Sequence, residues 1–181
     1  MGRVKGGIIR ARLEFLTDRL GADATKAVVA SLPAEDQKSL AEGILVSRWY
    51  PFELLVRLDH SVAGSCGGEQ ALEELGARSA EFHLGALYRN FALSNAPHDF
   101  FRNASLSHQL FHDRGSMEYE RTADNGCTLK VMGPDVDPIY CRSAIGYFRR
   151  SAQLCGGGSA TVIKRSCRAD GAPACVYEIR W

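Results

Sequence analysis

Apolar positions recur at helical spacing through the first half of the chain and switch to alternation further on. Ile9, Leu13, Leu16 and Leu20 form one stripe, which predicts a helix over 6–20 with Gly21 as its stop. Asp23 opens a second, short helix whose apolar side is Val28, Val29 and Leu32. Pro33, followed by Glu35 and Asp36, marks a third start. Proline's missing N–H costs nothing in a first turn, and acidic groups there face the positive end of the helix dipole. Trp49-Tyr50-Pro51-Phe52 opens a fourth helix, continued on one face by Leu54, Leu58 and Val62 and broken at Cys66-Gly67-Gly68. A long helix over 69–93 carries Leu72, Leu75, Ala80, Leu84, Leu87 and Phe91 on a broad apolar side and ends by Pro97. One more, over 98–112, carries Phe100, Phe101, Leu106, Leu110 and Phe111.

After Gly115 the period becomes two. Met117, Tyr119 and Arg121 alternate with Glu118, Glu120 and Thr122, which predicts a half-exposed strand. Asp124-Asn125-Gly126 is a hairpin turn, because Asn-Gly accepts positive φ, and Cys127, Leu129 and Val131 begin the return strand. A helix over 138–155 stops at three glycines, and strands over 160–166 and 175–181 form a last hairpin. The order helices, hairpin, helix, hairpin predicts an α+β fold: N-terminal helices packed on a small antiparallel sheet formed by two C-terminal hairpins separated by a helix. At 181 residues the chain reads as a single domain, 1–181, with no repeat or linker.

Composition narrows the classes. A formal net charge of +1 sets up no global field for nucleic acid or an anionic membrane, so no nucleic-acid partner is expected; Arg149-Arg150 and Lys164-Arg165 stay isolated pairs. No apolar run is long enough for a membrane span. Ile8 and Ile9 give way at once to Arg10, Arg12 and Glu14, which excludes a secretory h-region and points to a cytoplasmic protein. There the six cysteines are reduced thiols or metal ligands.

Cys167 and Cys175 flank the last turn and can meet on one face of a hairpin, half of a tetrahedral zinc site. Cys141 and Cys155 share a face of the preceding helix, but fourteen helical residues span ~21 Å, so both cannot hold one ion with zinc–sulfur bonds of about 2.3 Å. Cys66 and Cys127 read as small buried hydrophobes.

The ending Cys167-Arg168-Ala169-Asp170-Gly171-Ala172-Pro173-Ala174-Cys175-Val176-Tyr177-Glu178-Ile179-Arg180-Trp181 resembles the closing hairpin of the 4-vinyl-reductase domain. That domain shares a superfamily with haem-nitric-oxide-binding domains and certain subunits of vesicle-tethering (TRAPP) complexes. With Arg3-Val4-Lys5-Gly6, Leu32-Pro33-Ala34-Glu35-Asp36, Trp49-Tyr50-Pro51-Phe52-Glu53-Leu54 and Arg57-Leu58-Asp59, the whole chain is similar to a group of single-domain proteins common in myxobacteria. Phenol-sensing activators of the superfamily hold a structural zinc with three cysteines and a glutamate. The resemblance assigns the three cysteine positions to Cys141, Cys167 and Cys175, but Lys164 stands where the glutamate belongs. A protonated lysine cannot ligate, which leaves the fourth place to water, Cys127, a histidine or nothing.

Haem-binding relatives carry Tyr-x-Ser-x-Arg and a histidine on a preceding helix. The nearest segment here, Tyr119-Glu120-Arg121-Thr122-Ala123, lacks that signature, and His108 and His112 sit among polar neighbours as helix-surface histidines do. Haem is therefore not expected. Relatives also bind apolar or aromatic molecules between helices and sheet, and many dimerise through helices. The resemblance implies pocket walls drawn from Phe91, Leu110, Phe111, Met117, Tyr119, Leu129, Tyr147 and Phe148, each of which equally suits a packed core. No nucleophile elbow, phosphate loop, zinc-protease or dinucleotide motif is present. The expected function is non-enzymatic: a sensory or ligand-binding domain, a homodimer acting through a protein partner. The alternative is a dimeric adaptor shaped like a tethering-complex subunit, with its pocket filled by side chains.

Overall fold

The computed structural model describes residues 2–86 and 96–181. A short strand, β1 (Arg3–Lys5), runs straight into helix α1 (Gly6–Leu20). Helices α2 (Ala22–Ala30) and α3 (Ala34–Ala41) follow, then β2 (Trp49–Pro51), α4 (Phe52–Cys66) and α5 (Gly68–Ala86). Beyond them lie α6 (Pro97–Leu106), a 3-10 turn at His108–Leu110, strands β3 (Ser116–Ala123) and β4 (Gly126–Met132), helix α7 (Pro138–Leu154), strand β5 (Thr161–Ser166), a 3-10 turn at Arg168–Asp170, and β6 (Cys175–Arg180).

The fold is mixed helix and sheet, with two antiparallel sheets among the described residues. The four-stranded one has the order β3-β4-β6-β5, so the two hairpins lie side by side and β4 pairs with β6 at the centre. The other is β1 paired with β2, in register Val4 with Tyr50, which the sequence reading did not anticipate. Trp49-Tyr50-Pro51 has too few residues for a period-two signal. Its extended backbone is completed by pairing with a segment more than forty residues away, and Pro51 then stands as N-cap of α4.

The core divides in two. Ile9, Leu16, Leu54, Leu55, Leu58, Leu72 and Leu75 belong to a mainly helical cluster joining α1, α4 and α5, with Val4 and Tyr50 of the short sheet at its edge. Phe101, Leu129, Ile145, Phe148, Tyr177 and Ile179 form a second cluster, in which α6 and α7 cover the sheet. The expected picture of N-terminal helices lying on the sheet holds for α6, which packs on β3 and β4, and is corrected for α5: α7 lies between α5 and the sheet, packing along α5 on one side and against β5 and β6 on the other. Two glycines allow the helices to approach. A Cβ on Gly76 would collide with the Ser143 carbonyl, and one on Gly146 with the Glu73 carbonyl.

The helix expected over 98–112 stops at Leu106. Ser107 takes a non-helical conformation, and the tighter 3-10 turn that follows leaves Leu106 and Leu110 exposed at 79% and 63%. The helix expected over 69–93 is described as far as Ala86; its remaining positions, Phe91 among them, lie outside the described residues. No helix among the described residues is long and apolar enough to cross a membrane.

Candidate functional site

Two sites emerge from this layering. The first is the cysteine cluster. The first turn of α7 presents Cys141, and the two ends of the β5–β6 connection present Cys167 and Cys175. The sulfurs are 3.7 Å apart for Cys141 and Cys175, 3.9 Å for Cys141 and Cys167, and 4.0 Å for Cys167 and Cys175. Tetrahedral geometry with zinc–sulfur bonds of about 2.3 Å places sulfurs about 3.8 Å apart. The donor set fits zinc on distance, type and burial, since all three residues are buried.

Cys155 is buried elsewhere in the second core cluster, as helix length requires. Burial pushes the Cys141 thiol up to about 12. Cys167 goes the other way: burial raises it, but hydrogen bonds with Lys164, the Ala169 backbone and Cys141, together with the Lys164 charge, outweigh that and leave it below the ordinary thiol range. Lys164 thus stands beside the cluster as a counter-charge to sulfur rather than as a fourth donor.

The second site is a cavity of about 180 Å³ between α1, α5, α6, α7 and the sheet. Of the wall residues suggested by the sequence, Phe111, Met117, Tyr147 and Phe148 line it. Leu110 does not, because it points to solvent, and Leu129 is fully buried in the second core cluster. Tyr119 lies outside the wall, its hydroxyl 2.7 Å from Nδ1 of His98. Phe91 lies outside the described residues.

The polar side of the cavity is what the sequence did not disclose. Arg12 of α1, 3% exposed, meets Asp59 of α4 at 2.9 Å, and its other nitrogens reach Ser79 of α5 and Ser143 of α7. One turn along α5 from Ser79 stands His83, 5% exposed and on the cavity wall. Its Nε2 is buried and has no hydrogen-bond partner among the described residues. Burial lowers its pKa to about 4, the Arg12 charge adds to this and a backbone contact with Gly7 pulls back, so the imidazole is neutral near pH 7. Neutral imidazole is the form that binds a metal.

His108 and His112 also line the cavity, with rings stacked at 4.5 Å. Nε2 of His112 lies 3.3 Å from the Tyr140 hydroxyl, and burial pushes its pKa down to about 3. The helical spacing of Ser79, Ala80, His83 and Leu84 on the apolar side of α5 was the one available signal for His83. Nothing local in the sequence points to Arg12, whose partners come from three other helices.

No family model and no curated protein matches the chain. Solved structures do. An H-NOX protein from S. oneidensis in the Fe(II)NO ligation state superposes with a TM-score of 0.76 at 13% identity, over 97% of this chain and 98% of that one. The unliganded Fe(II) H-NOX protein mutant A71G from K. algicida gives 0.74 at 13%, over 97% and 95%. An oxygen-binding H-NOX domain related to soluble guanylate cyclases gives 0.69 at 17%, over 97% and 94%. The chain therefore has the fold of H-NOX domains, in keeping with the superfamily its ending resembles. This corrects the expectation against haem. That reading rested on a missing signature and on taking His108 and His112 for surface residues. Both in fact face the cavity, and the fold is that of Fe(II) proteins, including one described for haem redox tuning through porphyrin distortion.

Proposed function

We propose that this chain is a non-enzymatic sensory domain that holds an apolar ring-shaped ligand in the cavity between α5, α6, α7 and the sheet, and passes occupancy to a protein partner. The observation that carries the reading is a cavity with apolar walls and one buried, neutral imidazole nitrogen without a partner. A few polar groups placed in an apolar concavity are what small-molecule recognition needs. At about 180 Å³ the cavity is close in size to an engineered apolar cavity of about 150 Å³ that accepts benzene. It is not plugged by side chains, which favours the sensor over the adaptor.

Haem is the cofactor that the H-NOX neighbours suggest, and the donor chemistry suits it. His83 would offer Nε2 to the iron, with His108 as the second candidate, and bound haem would supply a coordination position for a small gas molecule. The protein's own part is to keep that imidazole neutral by burial and to wall the site from water with Phe111, Phe148 and Met117. A porphyrin is wider than the cavity as it stands, so its entry requires the walls to part. Titration with hemin, followed by its visible absorption, is expected to saturate at one per chain. His83→Ala should shift the band and weaken binding at least tenfold, and an unchanged spectrum would remove His83 from the role.

Zinc held by Cys141, Cys167 and Cys175 is proposed as structural, tying α7 to the last hairpin. A homodimer is proposed as the working form, with exposed Leu106 and Leu110 available to a second copy or to the partner. Light scattering should then give about twice the 19.8 kDa chain mass, and a monomer at micromolar concentration would contradict it.

A further inference from the structure

Each sulfur of the cysteine cluster accepts a hydrogen bond. The Arg168 N–H donates to Cys175 Sγ at 3.3 Å, the Tyr177 hydroxyl to Cys141, and the Ala169 N–H and the Lys164 ammonium to Cys167. Such donors suit sulfurs that carry negative charge.

What the cluster lacks is a fourth ligand. Among the described residues, no histidine or carboxylate joins the three sulfurs, which lie within 4.8 Å of one another. Residues 87–95 contain no cysteine, histidine, aspartate or glutamate. Cys127 pairs with Ile179, and Val131 with Cys175, so Cys127 stands four residues, ~13 Å, along β4 from the cluster. The remaining neighbour is Lys164, which cannot ligate while protonated. Four protein donors close a structural zinc site, whereas three leave a position for a ligand from outside. Cys141 and Cys175 belong to the wall of the cavity described above. Cys167 and Lys164, with Ser166 and Asp170, belong to the wall of a separate surface cleft of about 420 Å³.

We infer that the cysteine cluster is an open metal centre, in which Cys141, Cys167 and Cys175 hold a divalent thiophilic ion and the fourth position takes a small anionic sulfur donor arriving from the cleft beside Lys164. The inference rests on the zinc reading above and adds a ligand to a site proposed there as a clip. Three thiolates and a divalent ion sum to one negative charge, which the Lys164 ammonium cancels. An incoming anion therefore meets a neutral centre flanked by a cation. A centre already bound by thiolates suits further soft donors. Two sources share this chemistry, a low-molecular-weight thiol and hydrosulfide.

The test loads the full chain with Co(II) without oxygen, because cobalt accepts the same donors and its visible bands report them. Spectra follow the addition of 2-mercaptoethanol, sodium hydrosulfide or imidazole. Expected is a saturable shift at one sulfur probe per ion, with sulfur-to-metal absorption rising by roughly a third as three sulfurs become four. The tighter sulfur probe identifies the source, and imidazole should bind at least tenfold more weakly than it. Lys164→Met removes the charge without adding a donor, and should keep the shift but weaken the sulfur probe by about tenfold. Lys164→Glu supplies a carboxylate, and should bind cobalt with bands that no probe moves.

Circular dichroism confirms that each variant is folded, and if Lys164→Glu fails to fold, the native titrations and Lys164→Met still decide. Native bands that no probe moves, or loss of the ion to both sulfur probes, would overturn the inference and leave the clip standing. Imidazole binding as tightly as sulfur, or Lys164→Met responding as the native chain does, would overturn the assigned ligand and the part given to Lys164. A native chain that takes up neither cobalt nor zinc would overturn the clip, and the inference with it.

Discussion

Cys141, Cys167 and Cys175 are separated by 26 and 8 residues along the chain, yet their sulfurs lie at the mutual distances of a tetrahedral metal site. Metal-binding free energy is folding free energy for a clip of this kind. Cys175→Ser should therefore release zinc from protein that carries it and lower stability by ~2 kcal/mol or more. Elemental analysis and thermal unfolding check this, and unchanged metal content and melting temperature would dismiss the clip. This part of the site was legible in the sequence: the hairpin brings Cys167 and Cys175 together, helix length keeps Cys141 and Cys155 from sharing one ion, and the family resemblance chose Cys141 between them. His83 and Arg12 were not. Their significance comes from what faces them, and those neighbours lie tens of residues away on other elements.

At the scale of elements, the α5–α7 contact holds the two core clusters together. Gly76 and Gly146 bring backbone against backbone there, so an added methyl has no side chain to displace. Gly146→Ala should destabilise the fold by roughly 1–3 kcal/mol or more despite alanine's better helix propensity. Chemical denaturation measures it, and a stabilised variant would show that the helices can part freely.

While the start signal at Pro33, Glu35 and Asp36 located α3, periodicity located α1, α4, α7 and both hairpins, because each repeats its pattern long enough to be read. It failed at β1 and β2, three residues each and defined only by pairing with one another. It also failed past Leu106, where a 3-10 turn replaces the continuing helix and puts Leu110 outside instead of in the wall.

At the scale of the molecule, the two candidate sites adjoin. Cys141, Cys175 and Arg168 belong to the cavity wall as well as to the cysteine cluster or its flanking turn. A metal clip there would fix the floor of the cavity, while α6 and the turn after it, with two exposed leucines, form the side from which a partner could sense occupancy. The sensory function requires that this cavity receive a ligand. Ala104, a partly buried residue of α6 on its wall, is the position from which to close it.

The most direct test is ligand titration of the native chain beside Ala104→Trp, with hemin and benzoate as probes and circular dichroism to confirm that both proteins are folded. One bound ligand per native chain is expected for at least one probe, with binding at least tenfold weaker once tryptophan fills the space. Equal binding to the folded, plugged protein would contradict it, as would no binding to the native chain.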